Sequence, residues 1–109
     1  MLEELFGSKN RERVLQFILA NNEGYAKEIA DFYDSSIDPI QKQLERLELG
    51  SILVSQKVGR TRLFMFNPRY AFKKELEALL LKAREYYAPD EIERLTKQRK
   101  KPRGTGKPL

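Results

Sequence analysis

This 109-residue sequence predicts an α+β domain that is mainly helical. Three observations predict it. Apolar residues recur at helical spacing in four stretches, the second and third of which are separated by the turn cluster Asp34-Ser35-Ser36. Two β-prone runs then flank Val58-Gly59-Arg60-Thr61, the pattern of a hairpin tip. A last stretch, from Lys97 onward, is basic and rich in Pro and Gly, with too little apolar area to offset the entropy of ordering it. The sequence therefore divides into a domain over 1–96 and a basic tail over 97–109, expected to stay disordered until bound.

Ser8 is placed to cap a first helix over Lys9–Asn21, where Val14, Leu15, Phe17, Ile18 and Leu19 supply i, i+3 and i+4 pairs. Upstream, Leu2, Leu5 and Phe6 form a short apolar stripe broken at Gly7. Asn21-Asn22-Glu23-Gly24 is a polar stop that ends on a glycine. Tyr25 to Tyr33 reads as a short second helix with Ile29, Ala30 and Phe32 or Tyr33 inward, and residues 24–26 can add a brief strand.

A third helix runs to Leu49 and stops at Gly50, read as a C′ glycine. Its start has two solutions. Ser36 can cap it with Pro39 at N3, or Asp38 can cap it with Pro39 at N1 and Gln41 closing a capping box. The residue before a proline resists the α region, which locally favours Asp38. Ile40, Leu44 and Leu47 share one face, so Asp38, Lys42, Glu45 and Arg46 point away from it, with Pro39 and Gln41 at its flanks.

Ser51–Val58 and Arg62–Asn67 form the hairpin strands, and Asn67-Pro68 ends the second. A fourth helix carries Phe72, Leu76, Leu79, Leu80, Ala83 and Tyr86 or Tyr87 at offsets 0, 4, 7, 8, 11 and 14. Ala88-Pro89-Asp90 breaks it, and Glu91–Lys97 can form a short fifth helix.

Composition excludes much chemistry. Cysteine and histidine are both absent, which removes disulfides, thiolate or imidazole metal sites, Cys nucleophiles and every His-dependent acid–base mechanism. Gly104-Thr105-Gly106-Lys107 ends like a phosphate-binding loop, but residue 101 is Lys where the first glycine belongs and residue 108 is Pro. Carboxylates such as Glu91 and Glu93 read as solvated helix charges. No catalytic constellation emerges, so the chain is expected not to be an enzyme and to need no cofactor or metal. No apolar run approaches the ~20 residues that cross a bilayer, and a reducing cytoplasm is the expected compartment.

The net charge of +5 is unevenly spread. Residues 1–48 sum to −4 and residues 75–96 to −3. Residues 49–74 hold Lys57, Arg60, Arg62, Arg69, Lys73 and Lys74 without a single acid, and the tail adds Lys97, Arg99, Lys100, Lys101, Arg103 and Lys107. A cationic segment and a cationic tail on an otherwise acidic body point to a polyanion at one face.

The order helix, helix, turn, helix, two-stranded hairpin, helix resembles a winged helix-turn-helix. Lys27-Glu28-Ile29-Ala30, the run Ile40 to Glu48, Gly50-Ser51-Ile52-Leu53, and Val58 to Pro68 together resemble the ArsR-like bacterial and archaeal transcriptional regulators over about residues 8–87. The resemblance implies a three-helix DNA-binding core, a two-stranded β-wing and a C-terminal helix for dimerisation. It implies sequence-specific binding to double-stranded DNA as a homodimer, in most cases as a repressor at a palindromic operator in the nucleoid. The third helix would enter the major groove, and the wing would reach backbone or minor groove. Carried onto this sequence, those roles fall to Ser35, Ser36, Asp38, Gln41, Lys42, Gln43 and Arg46 in the turn and helix, and to Lys57, Arg60, Thr61 and Arg62 in the wing. Lys27 would touch a phosphate, and Lys97, Arg99, Lys100, Lys101 and Arg103 would follow the DNA backbone. Leu2, Leu5, Phe6, parts of the first helix, and Leu79, Leu80, Tyr86 and Tyr87 are the expected dimer surface.

The sequence departs from that family at Ser35, where an apolar turn residue is usual, and at Asp38 and Pro39. The Cys and His clusters of its metal-sensing members are absent. Two other readings fit the same residues: a winged-helix module that binds a protein partner, and a non-specific nucleic-acid binder led by the basic tail.

Overall fold

The computed structural model describes residues 1–97, and Arg99, Lys100, Lys101 and Arg103 lie outside the described residues. The chain forms α1 (Glu3–Phe6), α2 (Lys9–Asn21), β1 (Gly24–Tyr25), α3 (Ala26–Phe32), α4 (Ile37–Leu49), β2 (Leu53–Val58), β3 (Thr61–Phe66), α5 (Lys73–Arg84) and α6 (Pro89–Lys97). It is an α+β, mainly helical molecule with one three-stranded antiparallel sheet, a layout compatible with a winged helix.

Ser8 caps α2 as its position suggests, its Oγ accepting the Arg11 N–H at 3.2 Å. That helix stops differently from the sequence reading. Asn22, at φ 71°, takes the left-handed position, and Gly24 belongs to β1. A Cβ at Gly24 would stand 3.1 Å from Ile29 and Phe17, so close packing rather than a helix stop explains the glycine.

β1 pairs with β3 (Gly24↔Phe64, Tyr25↔Leu63), which gives the sheet order β1-β3-β2. β2 and β3 pair from Leu53↔Phe66 to Val58↔Thr61. Gly59, at φ 63°, supplies the left-handed residue of the two-residue tip.

α4 begins two residues earlier than the Asp38 solution. Ser36 is the N-cap and Pro39 falls at N3, where the missing N–H has no intrahelical partner to lose. At the other end Gly50 is not the left-handed residue. Ser51 is, at φ 67°, and the Ile52 N–H returns to the Leu47 carbonyl at 2.9 Å. α3 ends the same way: Asp34 sits at φ 54° and the Ser35 N–H reaches the Ala30 carbonyl at 2.8 Å. Both are Schellman closures built without glycine.

The core joins Val14, Leu15, Phe17 and Ile18 of α2 to Ile29 and Phe32 of α3, and to Ile40, Leu44 and Leu47 of α4. Leu53, Phe64, Leu80 and Leu95 close it from the sheet, α5 and α6. Phe17 and Phe32 meet edge to face at 5.3 Å. α6 is thus part of the core: Leu95 is fully buried, and Arg94 lies 4.1 Å from the Phe32 ring while donating to the Phe32 carbonyl.

This packing redraws the expected dimer surface. Leu80 is fully buried, and Leu2, Phe6 and Tyr87 pack against the core, leaving Leu5 and Tyr86 exposed and Leu79 half-buried. Among the described residues no helix is long and apolar enough to cross a membrane.

Candidate nucleic-acid interface

Burying Ile40, Leu44 and Leu47 fixes which way α4 faces. Asp38, Lys42, Glu45 and Arg46 are exposed on its outer side, and Gln41 and Gln43 are half-buried at its flanks. The Lys42 and Arg46 side chains form no ion pair among the described residues. The outer face holds two cations and two anions and is therefore charge-balanced. Gln41 donates Nε2–H to Glu45 Oε2 at 2.9 Å. In front of the helix, Ser35 donates its hydroxyl to the Ser36 carbonyl at 3.0 Å, and the exposed Ser36 hydroxyl makes no capping bond.

Gln43 is held differently. Its Oε1 accepts the Arg11 Nε–H at 2.9 Å, so the side chain ties α4 to α2. Of the turn and helix residues singled out from the sequence, it is the one engaged with another helix.

The β2–β3 hairpin, the wing of the expected fold, brings positive charge. Lys57 and Arg62 are cross-strand partners, and Arg60 stands at the tip beside Gly59. All three are exposed, and Thr61 Oγ1 closes the tip by donating to the Val58 carbonyl at 3.0 Å. Arg62 is positioned through a relay. Glu48, near the end of α4, accepts the Ser55 hydroxyl at 2.8 Å, and Ser55 Oγ accepts from Arg62 at 3.2 Å. The relay links helix and wing by three side chains.

Lys27 projects from α3 with its Nζ 3.2 Å from Asp31. Lys97 ends α6, paired to Glu93 at 2.8 Å. An open recess of about 860 Å³ lies between α3, the wing tip and α6, lined by Tyr25, Lys27, Asp31, Phe32, Val58 and Arg94 among others. Its two cations are already engaged, Lys27 by Asp31 and Arg94 by Phe32.

One residue of this face escaped the sequence reading. Ile37, the first residue of α4, is 44% exposed beside Ser36 and Asp38. Starting the helix at Asp38 leaves Ile37 in the turn, which hides its place on the helix. A β-branched apolar residue left open among polar neighbours was the available signal.

The buried titratable groups that the fold perturbs, Tyr33, Arg84 and Tyr87, lie elsewhere, at the ends of α3 and α5. Burial pushes the Tyr33 and Tyr87 phenols above the ordinary tyrosine range, and Tyr87 is further raised by donating to the Glu12 carboxylate. Burial also lowers the Arg84 guanidinium. No group of three His, Cys, Asp or Glu residues is placed to hold a metal ion among the described residues. No protein-family model, curated protein or solved structure matches the chain.

Proposed function

We propose that this chain is a sequence-specific, double-stranded-DNA-binding transcriptional regulator, a repressor, working as a homodimer at the nucleoid in the cytoplasm. The observation that carries the reading is the pairing of α4's open outer face with a wing whose Lys57, Arg60 and Arg62 face solvent in a segment free of acids.

In this reading α4 lies in the major groove. Lys42 and Arg46 are suited to guanine O6 and N7, Gln41 to an adenine edge, Asp38 to a cytosine amino group and Ile37 to a thymine methyl. The wing cations and Lys27 neutralise phosphates and set the register without reading sequence. Arg99, Lys100, Lys101 and Arg103 extend that backbone contact. Two copies related by a two-fold axis would present their α4 helices to half-sites about 34 Å apart.

Selection of a random duplex library by the purified protein at physiological salt, followed by sequencing, tests the reading. Enrichment of a two-fold palindrome supports it. Retention without enrichment makes the chain a non-specific binder led by its tail. No retention turns the same face into a protein-binding module.

A further inference from the structure

We propose that the open recess between α3, the β2–β3 tip and α6 is a binding site for a small aromatic carboxylate, with Arg94 as the anchor of its charge. Once bound, the ligand draws Lys27 and the hairpin tip away from DNA and so acts as a release signal. The ligand site stands on the recess alone, whereas the release rests on the DNA-binding reading above.

At about 860 Å³ the recess has the size of sites that hold small organic ligands. Its apolar walls come from elements far apart in the chain: Tyr25 just before α3, Phe32 at the end of that helix, and Val58 at the hairpin tip. The tip adds no free hydroxyl, because Thr61 donates its own to the Val58 carbonyl. Such walls favour an apolar body, and Tyr25 together with the Arg94 guanidinium offers faces on which a ring stacks.

The engagements of the charged lining residues decide the sign of the ligand. Asp31 accepts from Lys27 through both oxygens, at 3.2 and 3.4 Å, and Glu28 accepts the Tyr25 N–H at 3.2 Å. Both carboxylates are thus spent within α3 and its cap. Arg94 forms no ion pair among the described residues. Its guanidinium lies 4.1 Å from the Phe32 ring centroid and spends one N–H on the Phe32 carbonyl, which leaves the rest of its donor fork. Ring and carbonyl hold the group in place, so taking an anion costs little further ordering. A planar fork of this kind matches a carboxylate with two parallel hydrogen bonds. Lys27 adds a second cation, because its pair with Asp31 is exposed on both sides and therefore weak. Surplus donors above apolar walls call for an anion with a ring attached. In the DNA-binding reading a phosphate needs the same Lys27, so ligand and DNA compete.

Naphthoate is the probe, with naphthamide as its uncharged isostere and acetate as its counterpart without a ring. In a calorimetric titration of the full chain without DNA, naphthoate should bind, naphthamide should bind at least roughly tenfold more weakly, and equimolar acetate should not displace naphthoate. Arg94→Lys keeps the charge but loses the fork, and should weaken naphthoate by about tenfold or more. Val58→Glu, at a half-buried wall, should weaken it similarly by repelling the carboxylate. Equal binding of naphthoate and naphthamide by the wild-type chain overturns the anchor, whether or not either variant folds. Naphthoate binding that survives both substitutions puts the anion elsewhere on the chain and overturns the site, as does no binding at all. On a duplex enriched by the selection, saturating naphthoate should weaken wild-type binding roughly tenfold and have little effect on Arg94→Lys, whose recess stays mostly empty. An unchanged wild-type affinity for DNA overturns the release. A failed selection removes the DNA-binding reading and leaves the titration without DNA to stand by itself.

Discussion

Arg11 of α2 donates its Nε–H to Gln43 Oε1 of α4 across 2.9 Å, joining two helices that are 32 residues apart in sequence. One of the amides expected to read DNA is therefore a structural tie. Gln43→Ala should lower stability by about 1 kcal/mol, the net value of such a bond, in a denaturant titration. It should leave base preference unchanged. Arg46→Ala should do the reverse, relaxing preference at one base pair by about 1–3 kcal/mol with little change in stability.

The Glu48–Ser55–Arg62 relay holds a wing cation at a set distance from α4. Ser55→Ala removes the middle member while keeping both charges. DNA affinity should fall by about threefold to tenfold, and the slope of log affinity against log salt should stay the same, because the number of cations is unchanged. Arg62→Ala should lower that slope by about 1. A salt slope that drops in Ser55→Ala would remove the positioning role.

Ile37 is exposed at the start of α4, and in the proposed DNA-binding reading it meets a thymine methyl. Once a preferred site is known, replacing thymines one by one with deoxyuridine deletes single methyl groups. One position should cost the wild-type protein about 0.8 kcal/mol, the value of one buried carbon. Ile37→Ala should bind the two sites equally well, and its melting temperature should stay close to that of the wild type.

Tyr87 donates to Glu12, a carboxylate only 4% exposed that also accepts the Leu2 N–H at 2.7 Å. Tyr87→Phe should destabilise the chain by about 1–3 kcal/mol, because a buried carboxylate loses one of its donors. The raised Tyr33 and Tyr87 phenols also give a pH dependence. Folding favours their protonated forms, so their contribution is complete below the ordinary tyrosine value of 10.0 and is lost as pH climbs above it. Alkaline titration followed by circular dichroism should show unfolding that begins above pH 10 and is less steep in Tyr87→Phe.

Ser51 occupies a left-handed conformation at φ 67°, where a side chain costs roughly 1–2 kcal/mol. Ser51→Gly should raise stability by up to about 1 kcal/mol after the extra chain entropy of glycine is subtracted, measured by thermal unfolding. The Asn67 side chain bonds the Ser51 carbonyl, a main-chain group that the substitution keeps.

Periodicity alone was enough to locate α2, α4 and α5, because Ile40, Leu44 and Leu47 or Val14 and Ile18 can share a face only in a helix, while the β-prone runs on either side of the Gly59 tip located the hairpin. The Gly59 turn and the Ser8 cap were legible for the same reason: each depends on neighbours within a few residues. The outward residues of α4 followed once its inward ones were known, so most of the candidate face could be named in advance.

Residues that answer to distant partners could not be read this way. Gln43 looks like any exposed amide until Arg11 arrives from α2, and Tyr87 looks like a surface aromatic until Glu12 accepts from it. Leu80 and Leu79 are adjacent leucines in one helix, yet one is fully buried and the other only half-buried, according to where α2 packs. The helix start at Ser36 was undecided locally because proline restricts its predecessor without forbidding it. Local periodicity and turn chemistry determine the elements and their inner faces. Long-range packing decides which polar groups become ties, which cations remain open, and which apolar side chains stay exposed.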